Sequence, residues 1–302
     1  MLKVAWSEAY VLPLPPNHRF PMSKYEVLPQ QLLHEGTLQE SNFFQPSPMT
    51  EERIVRTHDK AYWEKLKSMQ LTEREVRRTG FPLTEALVNR EVTIVNGTVR
   101  CAEYALQYGA AMNIAGGTHH AFTDRGEGFC LLNDFAVAAN FLLHEKLARK
   151  ILIIDLDVHQ GNGTASLFRN EPRVFTFSMH GAHNYPFRKE MSDLDIGLAD
   201  GTGDDEYLAL LDRHLGDLLN RVEPDFAFFL AGADVLETDK FGKLKLTMAG
   251  CRERDEMVFK KLKDKRIPCT VAMGGGYSPD ARIITEAHCQ TFRLAKDLYQ
   301  LA

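Results

Sequence analysis

Residues 151–163, "ILIIDLDVHQGNG", place two carboxylates and an imidazole at the tip of an apolar run. Asp157 and His159 are two residues apart, so on a strand both face the same side and can bind one cation. Asp234 follows a second apolar run, "FFLAGA", and can supply a third ligand. Such a set leaves a coordination position open for water, as in catalytic zinc sites. The alternative for the pair alone is a buried aspartate capped by backbone amides, and Asp234 favours the metal site.

Two adjacent histidines, His119 and His120, follow a Gly-Gly turn in "NIAGGTHH". Imidazoles suit general acid–base work because their ordinary pKa lies near 6.5. For an isolated histidine pair, an ordinary position in the core or on the surface is the favoured interpretation. Asp155 and Asn162 change this interpretation, since each could orient one ring through its distal nitrogen. We therefore predict that the pair moves protons at the same site.

A tyrosine, Tyr277, follows three glycines in "VAMGGGY". Glycines allow close backbone approach, so this loop could hold a phenol over a bound carbonyl, where its OH would stabilise a developing oxyanion. A glycine turn that ends in a packed tyrosine is the alternative. A phosphate loop is excluded because no Gly-Lys-Ser/Thr follows the glycines.

Short apolar runs alternate with helical patterns after residue 95, which predicts a three-layer α/β/α fold around a mainly parallel sheet. The segment "EGTLQESNFFQPSPMTEE" is predicted to be a surface loop. Strands are predicted in "AAMNIAGG", "KILIIDLD", "RVFTFSMH", "DFAFFLAGAD" and "PCTVAMGGGY". Helices are predicted in "TVRCAEYALQYG", "NDFAVAANFLLHEKLA", "DDEYLALLDRHLGDLLNRV", "AGCRERDEMVFKKLKDK" and from about residue 279 onward. Parallel strands share one carboxyl edge, so the polar tips should meet there.

The bulk composition narrows the class of protein. The 302 residues are 44% apolar with a formal charge of −5, which argues against nucleic acid as a partner. Five cysteines without CxxC pairs favour a reducing compartment, and neither a signal peptide nor a membrane-spanning segment is evident. We expect a cytoplasmic, monomeric protein without membrane partners. In the absence of linkers and repeats, one domain is predicted over 1–302.

Four segments resemble one known family, in order and over most of the chain. "GGTHHAFTDRGEGFCLLND", "IIDLDVHQGNG", "AGADVLETDKFGKLKLT" and "GGGY" are similar to the zinc-dependent histone deacetylases of the arginase–deacetylase fold. "IDLDVHQGNG", "RVFTFS", "GTGDDEYL" and "ARII" most resemble the class IV, histone deacetylase 11-like branch and its bacterial relatives. A single deacetylase domain is thus expected.

The resemblance implies a role for each candidate residue. One Zn²⁺ per chain would be bound by Asp157, His159 and Asp234. His119 and His120 would form the acid–base pair, and Tyr277 would polarise the scissile carbonyl. A structural K⁺ would be bound by Asp155, the Ser178 hydroxyl and the backbone carbonyls of Asp157, His159 and Met179.

Substrate contacts also follow from the resemblance. Phe129 and Tyr185 would wall an acyl-lysine tunnel, although both could instead be core aromatics. Arg19 would match an arginine that lines an inner channel. The remaining expected substrate contacts are Gly128, Gly275 and Gly276.

Two positions depart from the class I pattern. Asn162 stands where class I enzymes have an Asp beside the second histidine, and an amide cannot raise imidazole basicity as a carboxylate does. In "TGFPLT", Gly80 lies near the place of a class I Asp that grips the substrate backbone. This second change weakens the expectation of tight peptide or histone binding.

The predicted reaction is hydrolysis of ε-N-acyl-lysine in a protein or peptide, with class IV resemblance pointing to long fatty acyl groups. One alternative is an amidohydrolase for acetylpolyamines or other small acylated amines, since net acidity is compatible with a cationic substrate. Another is a non-catalytic acyl-lysine-binding protein. An arginase is disfavoured because a second metal would need more carboxylates than these segments provide.

Overall fold

The computed structural model describes residues 1–299 and contains one eight-stranded sheet. The strands are β1 (Lys3–Ala5), β2 (Phe43–Phe44), β3 (Ala110–Asn113), β4 (Ile151–Asp155), β5 (Val174–Gly181), β6 (Leu194–Leu198), β7 (Phe226–Leu230) and β8 (Cys269–Ala272). Their spatial order is β2-β1-β3-β8-β7-β4-β5-β6, and every pairing of neighbours is parallel. The predicted parallel α/β architecture is confirmed.

Helices cover the sheet in two groups. The α-helices are α1 (Lys24–His34), α2 (Glu51–Ile54), α3 (Lys60–Lys67), α4 (Glu73–Thr79), α5 (Glu85–Tyr108), α6 (Asp134–His144), α7 (Asn162–Phe168), α8 (Asp204–Val222), α9 (Met248–Asp264) and α10 (Ala281–Tyr299). α5 packs on α6, while α9 packs on both α8 and α10, and α1 packs on α10. Within residues 1–299, none of these helices is long and apolar enough to cross a membrane.

The central strands form where the sequence predicts them. β3, β4, β7 and β8 are buried along their whole lengths, since helices cover both faces and only apolar runs are stable there. These four strands are also neighbours, in the order β3-β8-β7-β4. Consequently their carboxyl ends, which carry the candidate site residues, lie side by side.

The predictions are less accurate at the edges of the sheet and for one helix. β2 lies inside the segment predicted to be a surface loop and pairs with β1 at one edge. β6, at the other edge, was not predicted either, and its residues are mostly half-exposed. α5 begins at Glu85, well before the predicted start, because the Thr84 hydroxyl accepts the amide hydrogen of Leu87 and caps the helix there.

Candidate active site

Asp157, His159 and Asp234 form a buried cluster beyond the ends of β4 and β7. The Nδ1 atom of His159 lies 3.0 Å from Oδ1 of Asp157 and 3.1 Å from Oδ2 of Asp234. One ligand atom from each residue lies within 4.8 Å of the other two. Three convergent donors at such spacing can all reach a single metal ion. The structure therefore brings together the three residues predicted to bind one cation.

The backbone holds these carboxylates in place from two sides. The Gly275 amide donates to Oδ2 of Asp157 at 2.8 Å, and the Val158 amide donates to Oδ1 of Asp234 at 3.0 Å. A Cβ on Gly275 would lie only 2.0 Å from Oδ2 of Asp234. Glycine is therefore required where the loop after β8 presses on the cluster.

Asp157 and His159 do not lie on a strand, contrary to the sequence-based prediction. β4 ends at Asp155, whose Oδ1 accepts the Asp157 amide hydrogen at 3.2 Å. Oδ1 of Asp157 in turn accepts the amide hydrogen of His159 at 3.0 Å. Aspartates that bond to the backbone two residues on replace the sheet ladder with a turn. The two ligands still face each other, but across this turn.

The electrostatics of the cluster fit a cation. Burial and the neighbouring Asp157 raise the pKa of Asp234 to about 7. Burial lowers the pKa of His159, but Asp157 and Asp234 outweigh it and raise that pKa to about 10. Two carboxylates held together out of water repel each other, and a divalent ion would offset this cost. Two carboxylate oxygens and an imidazole nitrogen are zinc ligands.

The histidine pair stands beside the cluster with two different partners. Nδ1 of His119 lies 2.7 Å from Oδ2 of Asp155, and Nδ1 of His120 lies 2.7 Å from Oδ1 of Asn162. The ring centroids are 4.1 Å apart. Both predicted orienting contacts are therefore present, with Asn162 supplied by the first turn of α7.

The pKa values of the two imidazoles shift in opposite directions, because only His119 has carboxylates close enough to outweigh burial. Burial lowers the pKa of His119, but Asp155 and Asp157 outweigh it and raise that pKa to about 8. Burial and the neighbouring His119 lower the pKa of His120 well below its usual range, and the Asn162 amide only partly opposes this. The pKa of His119 thus lies above that of His120, which suits the two rings to different roles in proton transfer.

Tyr277 lies over the cluster, wedged among other aromatic rings. Its amide hydrogen is donated to Oδ2 of Asp239 at 2.6 Å. Its ring centroid is 5.0 Å from that of Phe241, 6.0 Å from that of Phe129 and 6.5 Å from that of His159. Burial raises the pKa of the phenol well above its usual value, so the OH remains a hydrogen-bond donor.

An outer cavity of about 430 Å³ opens from the surface onto this group, with His120, His159 and Tyr277 at its base. Phe129 and Tyr185, the predicted walls of an acyl-lysine tunnel, both line this cavity, and the Tyr185 hydroxyl donates to Glu127 at 2.9 Å.

Glycines shape this outer cavity at two positions. Gly128 has φ +52°, and a Cβ there would lie 2.7 Å from the His120 ring. A Cβ on Gly80 would lie 2.8 Å from the Phe129 ring, so this rim position is kept free of a side chain.

Two predicted substrate contacts, Gly275 and Gly276, do not line the outer cavity, and Arg19 is not in the position expected for it. Gly275 lines a smaller inner cavity of about 40 Å³ behind the cluster. Gly276 faces Ile284 and Ala233, away from both cavities. Arg19 was expected in an inner channel; instead it is exposed at the mouth of the outer cavity, with its guanidinium carbon 5.8 Å from the centroid of the Phe241 ring.

Three buried residues that support the site were missed. Lys24, on α1, donates from Nζ to the carbonyl of Gly274 at 2.9 Å, and burial lowers its pKa to about 8. Arg90, on α5, lines the inner cavity in the place expected for Arg19. Asp239 accepts amide hydrogens from Phe241, Gly242 and Tyr277. These side chains reach the site from distant segments, and no local sequence pattern marks them.

Three of the residues predicted to bind potassium, Asp155, Ser178 and Met179, lie on the neighbouring strands β4 and β5. Ser178 stands opposite Asp155 in the β4–β5 register, and Met179 follows it on β5. All three are buried. The Ser178 hydroxyl lies 2.9 Å from Nδ1 of His180, another buried histidine.

Comparison with known proteins assigns a family to this arrangement. The family model described as "Histone deacetylase domain" matches residues 18–292. An uncharacterized protein of Picosynechococcus sp. is 42% identical over 98% of this chain and 99% of its own length. Histone deacetylase 2 of Arabidopsis thaliana is 32% identical over 89% of this chain and 72% of its own length. The chain belongs to the histone deacetylase family.

Solved structures agree on the fold. The crystal structure of an HDAC homologue complexed with SAHA has a TM-score of 0.85 at 23% identity and covers 100% of this chain and 84% of its own. The HDAC homologue from Aquifex aeolicus gives 0.83 at 22% identity, with the same coverage of both chains. The predicted arginase–deacetylase fold is confirmed, and the family members support a deacetylase-type hydrolase.

Proposed function

We propose that this chain is a zinc-dependent deacylase that hydrolyses ε-N-acyl-lysine in a protein or peptide. The observation that carries the proposal is that three groups each contribute a residue to the lining of one cavity: His159 of the Asp157–His159–Asp234 cluster, His120 of the histidine pair, and Tyr277. Taken alone, each of these three groups could have a purely structural role. A binding protein without turnover would need neither a paired set of oriented imidazoles nor a phenol beside a cation site.

The cluster would hold one Zn²⁺ through Asp157, His159 and Asp234. When bound there, zinc would act as a Lewis acid on the amide carbonyl and lower the pKa of water. The Val158 amide bonds to Oδ1 of Asp234, so Oδ2 of that carboxylate is the oxygen that faces His159. The family resemblance to class IV enzymes adds the expectation of a long acyl group, which the aromatic walls of the outer cavity suit.

The other residues have separate roles in proton transfer and in stabilising the oxyanion. His120, kept neutral by burial, accepts the proton from the attacking water. His119, kept protonated by Asp155, balances the negative charge that develops and is placed to donate toward the leaving amine. The Tyr277 OH donates to the carbonyl oxygen as it becomes an oxyanion. A K⁺ bound at Asp155, Ser178 and Met179 would hold the carboxylate that orients His119.

The proposal is tested by kcat/KM on acetyl-, crotonyl-, octanoyl- and myristoyl-lysine peptides, beside acetylated polyamines. We expect turnover of the peptides and a rise with chain length, since each two buried methylenes contribute about 1.6 kcal/mol, roughly tenfold. Preferential turnover of polyamines would instead make the chain a small-molecule amidohydrolase. Binding of acyl-lysine without turnover of any substrate would make it a non-catalytic reader.

Replacing Asn162 by Asp should make His120 more basic, because a carboxylate stabilises the imidazolium where an amide does not. A neutral general base is lost as pH falls through its pKa. The acid limb of the kcat/KM profile is therefore expected to move upward by about one to three pH units. Zinc content and unfolding temperature should stay unchanged. An unmoved acid limb would remove His120 from the role of general base.

A further inference from the structure

The wall of the outer cavity is cationic near its mouth. Four basic residues line it: Arg19 from the N-terminal segment, Arg77 and Arg78 from α4, and Lys243 from the segment after β7. We refer to these four as the mouth cations. Among the described residues that line this cavity, none is Asp or Glu. The positive charge is local, since the whole chain has a formal charge of −5.

The counter-charges of the mouth cations do not line the cavity. Arg77 pairs with Glu73 at 3.2 Å, in an exposed pair one helical turn apart. Arg78 is 3.9 Å from Glu127, which is already bonded to the Arg125 guanidinium and the Tyr185 hydroxyl.

Lys243 and Arg19 are the least neutralised. Lys243 lies 3.5 Å from Asp200, a carboxylate that it shares with His183. Arg19 forms no ion pair with any residue in 1–299, and its cation–π contact with Phe241 leaves its charge uncompensated. Exposed pairs of this kind are weak and readily exchanged. The cations thus remain available to an anionic group that enters the cavity.

We propose that the mouth cations select acyl-lysine substrates whose neighbouring residues are acidic. This inference rests on the proposed deacylase function and names its substrate class. Any peptide whose acyl-lysine reaches His120, His159 and Tyr277 must pass its flanking residues along Arg19, Arg77, Arg78 and Lys243. Carboxylates there would gain exposed ion pairs, whereas lysine-rich segments and polyamines would meet like charge.

The Gly80 position agrees with this selection. A Cβ on Gly80 would press on the Phe129 ring, so no carboxylate projects into the mouth at this position of the rim. The net acidity of the chain, which by itself is compatible with a cationic substrate, therefore does not describe the surface that the substrate meets.

The test compares peptides of one acyl group and one length whose flanking residues are Glu, Gln or Lys. Both kcat/KM and Kd, the latter from fluorescence anisotropy, are measured at low salt and at 0.5 M salt. We expect the Glu peptide to exceed the Gln peptide by about three- to tenfold, and the Lys peptide to fall below it by a similar factor. Salt screens the charges, so both differences between peptides should be smaller at 0.5 M salt.

Two variants test whether the mouth cations cause the preference for the Glu peptide. Arg19→Gln and Lys243→Gln together should reduce the preference for the Glu peptide over the Gln peptide to less than twofold. Arg149→Gln is the matched control and should keep the preference, because Arg149 is exposed and precedes the amino end of β4, whereas the site lies beyond the carboxyl ends of the strands.

The experiment distinguishes failure of the proposed charge selection from failure of the proposed deacylase function. Equal kcat/KM and Kd for Glu and Gln peptides, or a Glu preference that survives in the double variant, would overturn the selection. Absence of turnover on every peptide would instead contradict the deacylase function. In that case tighter binding of the Glu peptide than of the Gln peptide would still support the cationic mouth, and equal binding would refute it.

Discussion

On the proposed zinc-dependent mechanism, the Asp234→Asn variant is expected to bind no zinc and to lose at least about 10³-fold in kcat/KM, because metal polarisation of a carbonyl supplies several kcal/mol of transition-state stabilisation. Asparagine keeps the size of the side chain and can still accept the Val158 amide hydrogen at Oδ1. It cannot supply the negative charge of Oδ2, which lies 3.1 Å from the His159 ring. The measurement is zinc per chain after dialysis, together with kcat/KM on the best acyl-lysine peptide.

Asp239→Asn is the matched control for that experiment. Asp239 is also a buried carboxylate near the site, but it accepts backbone amides of Phe241, Gly242 and Tyr277 and is not one of the three clustered ligands. This variant should retain one zinc per chain and lose activity only by misplacing Tyr277. Retention of full zinc by Asp234→Asn would show that the cluster is not the metal site.

The sequence predicts the catalytic side of the fold well for a physical reason. A strand buried on both faces must be apolar throughout, so Asp155 directly after "ILII" contradicts simple burial and marks a site. The same logic identifies Asp234 after β7 and the glycines after β8. Because parallel strands share a carboxyl edge, these signals combine before any coordinates are known. Asp157 and His159 were nonetheless placed on the strand, since the turn that carries them is made by side-chain-to-backbone bonds.

The missed elements are those whose stability comes from distant partners. β2 consists of two residues, and only its pairing with β1 makes it a strand. Lys24 is polar within a helix of unremarkable pattern, and its contact with Gly274 joins residues 250 positions apart. Likewise, Arg19 is a single basic residue in a loop of the sequence, and only in the folded chain do Arg19 and Lys243 line the same cavity. Contacts between such distant residues leave no periodic pattern in the sequence from which they could be predicted.

The Tyr277→Phe variant, which lacks only the phenolic oxygen, should have a kcat lower by about 10²–10³-fold. This is the loss typical of a deleted oxyanion donor. Among residues 1–299 the Tyr277 hydroxyl has no hydrogen-bond partner, so it has no evident structural task. The ring packing against Phe129 and Phe241 would remain in the variant. We therefore expect unchanged zinc content, an unchanged unfolding temperature and a peptide Kd within about threefold.

The same chemical change at Tyr185, which also lines the outer cavity, separates catalysis from packing. The Tyr185 hydroxyl donates to Glu127 at 2.9 Å, so Tyr185→Phe removes a hydrogen bond within the wall. That loss should cost stability on the order of 1 kcal/mol and leave kcat within a few-fold. If both variants lose activity equally, the aromatic walls act through packing alone. If Tyr277→Phe retains full activity on every acyl-lysine peptide, the phenol is not the oxyanion donor, and stabilisation of the oxyanion must come from His119 and the metal.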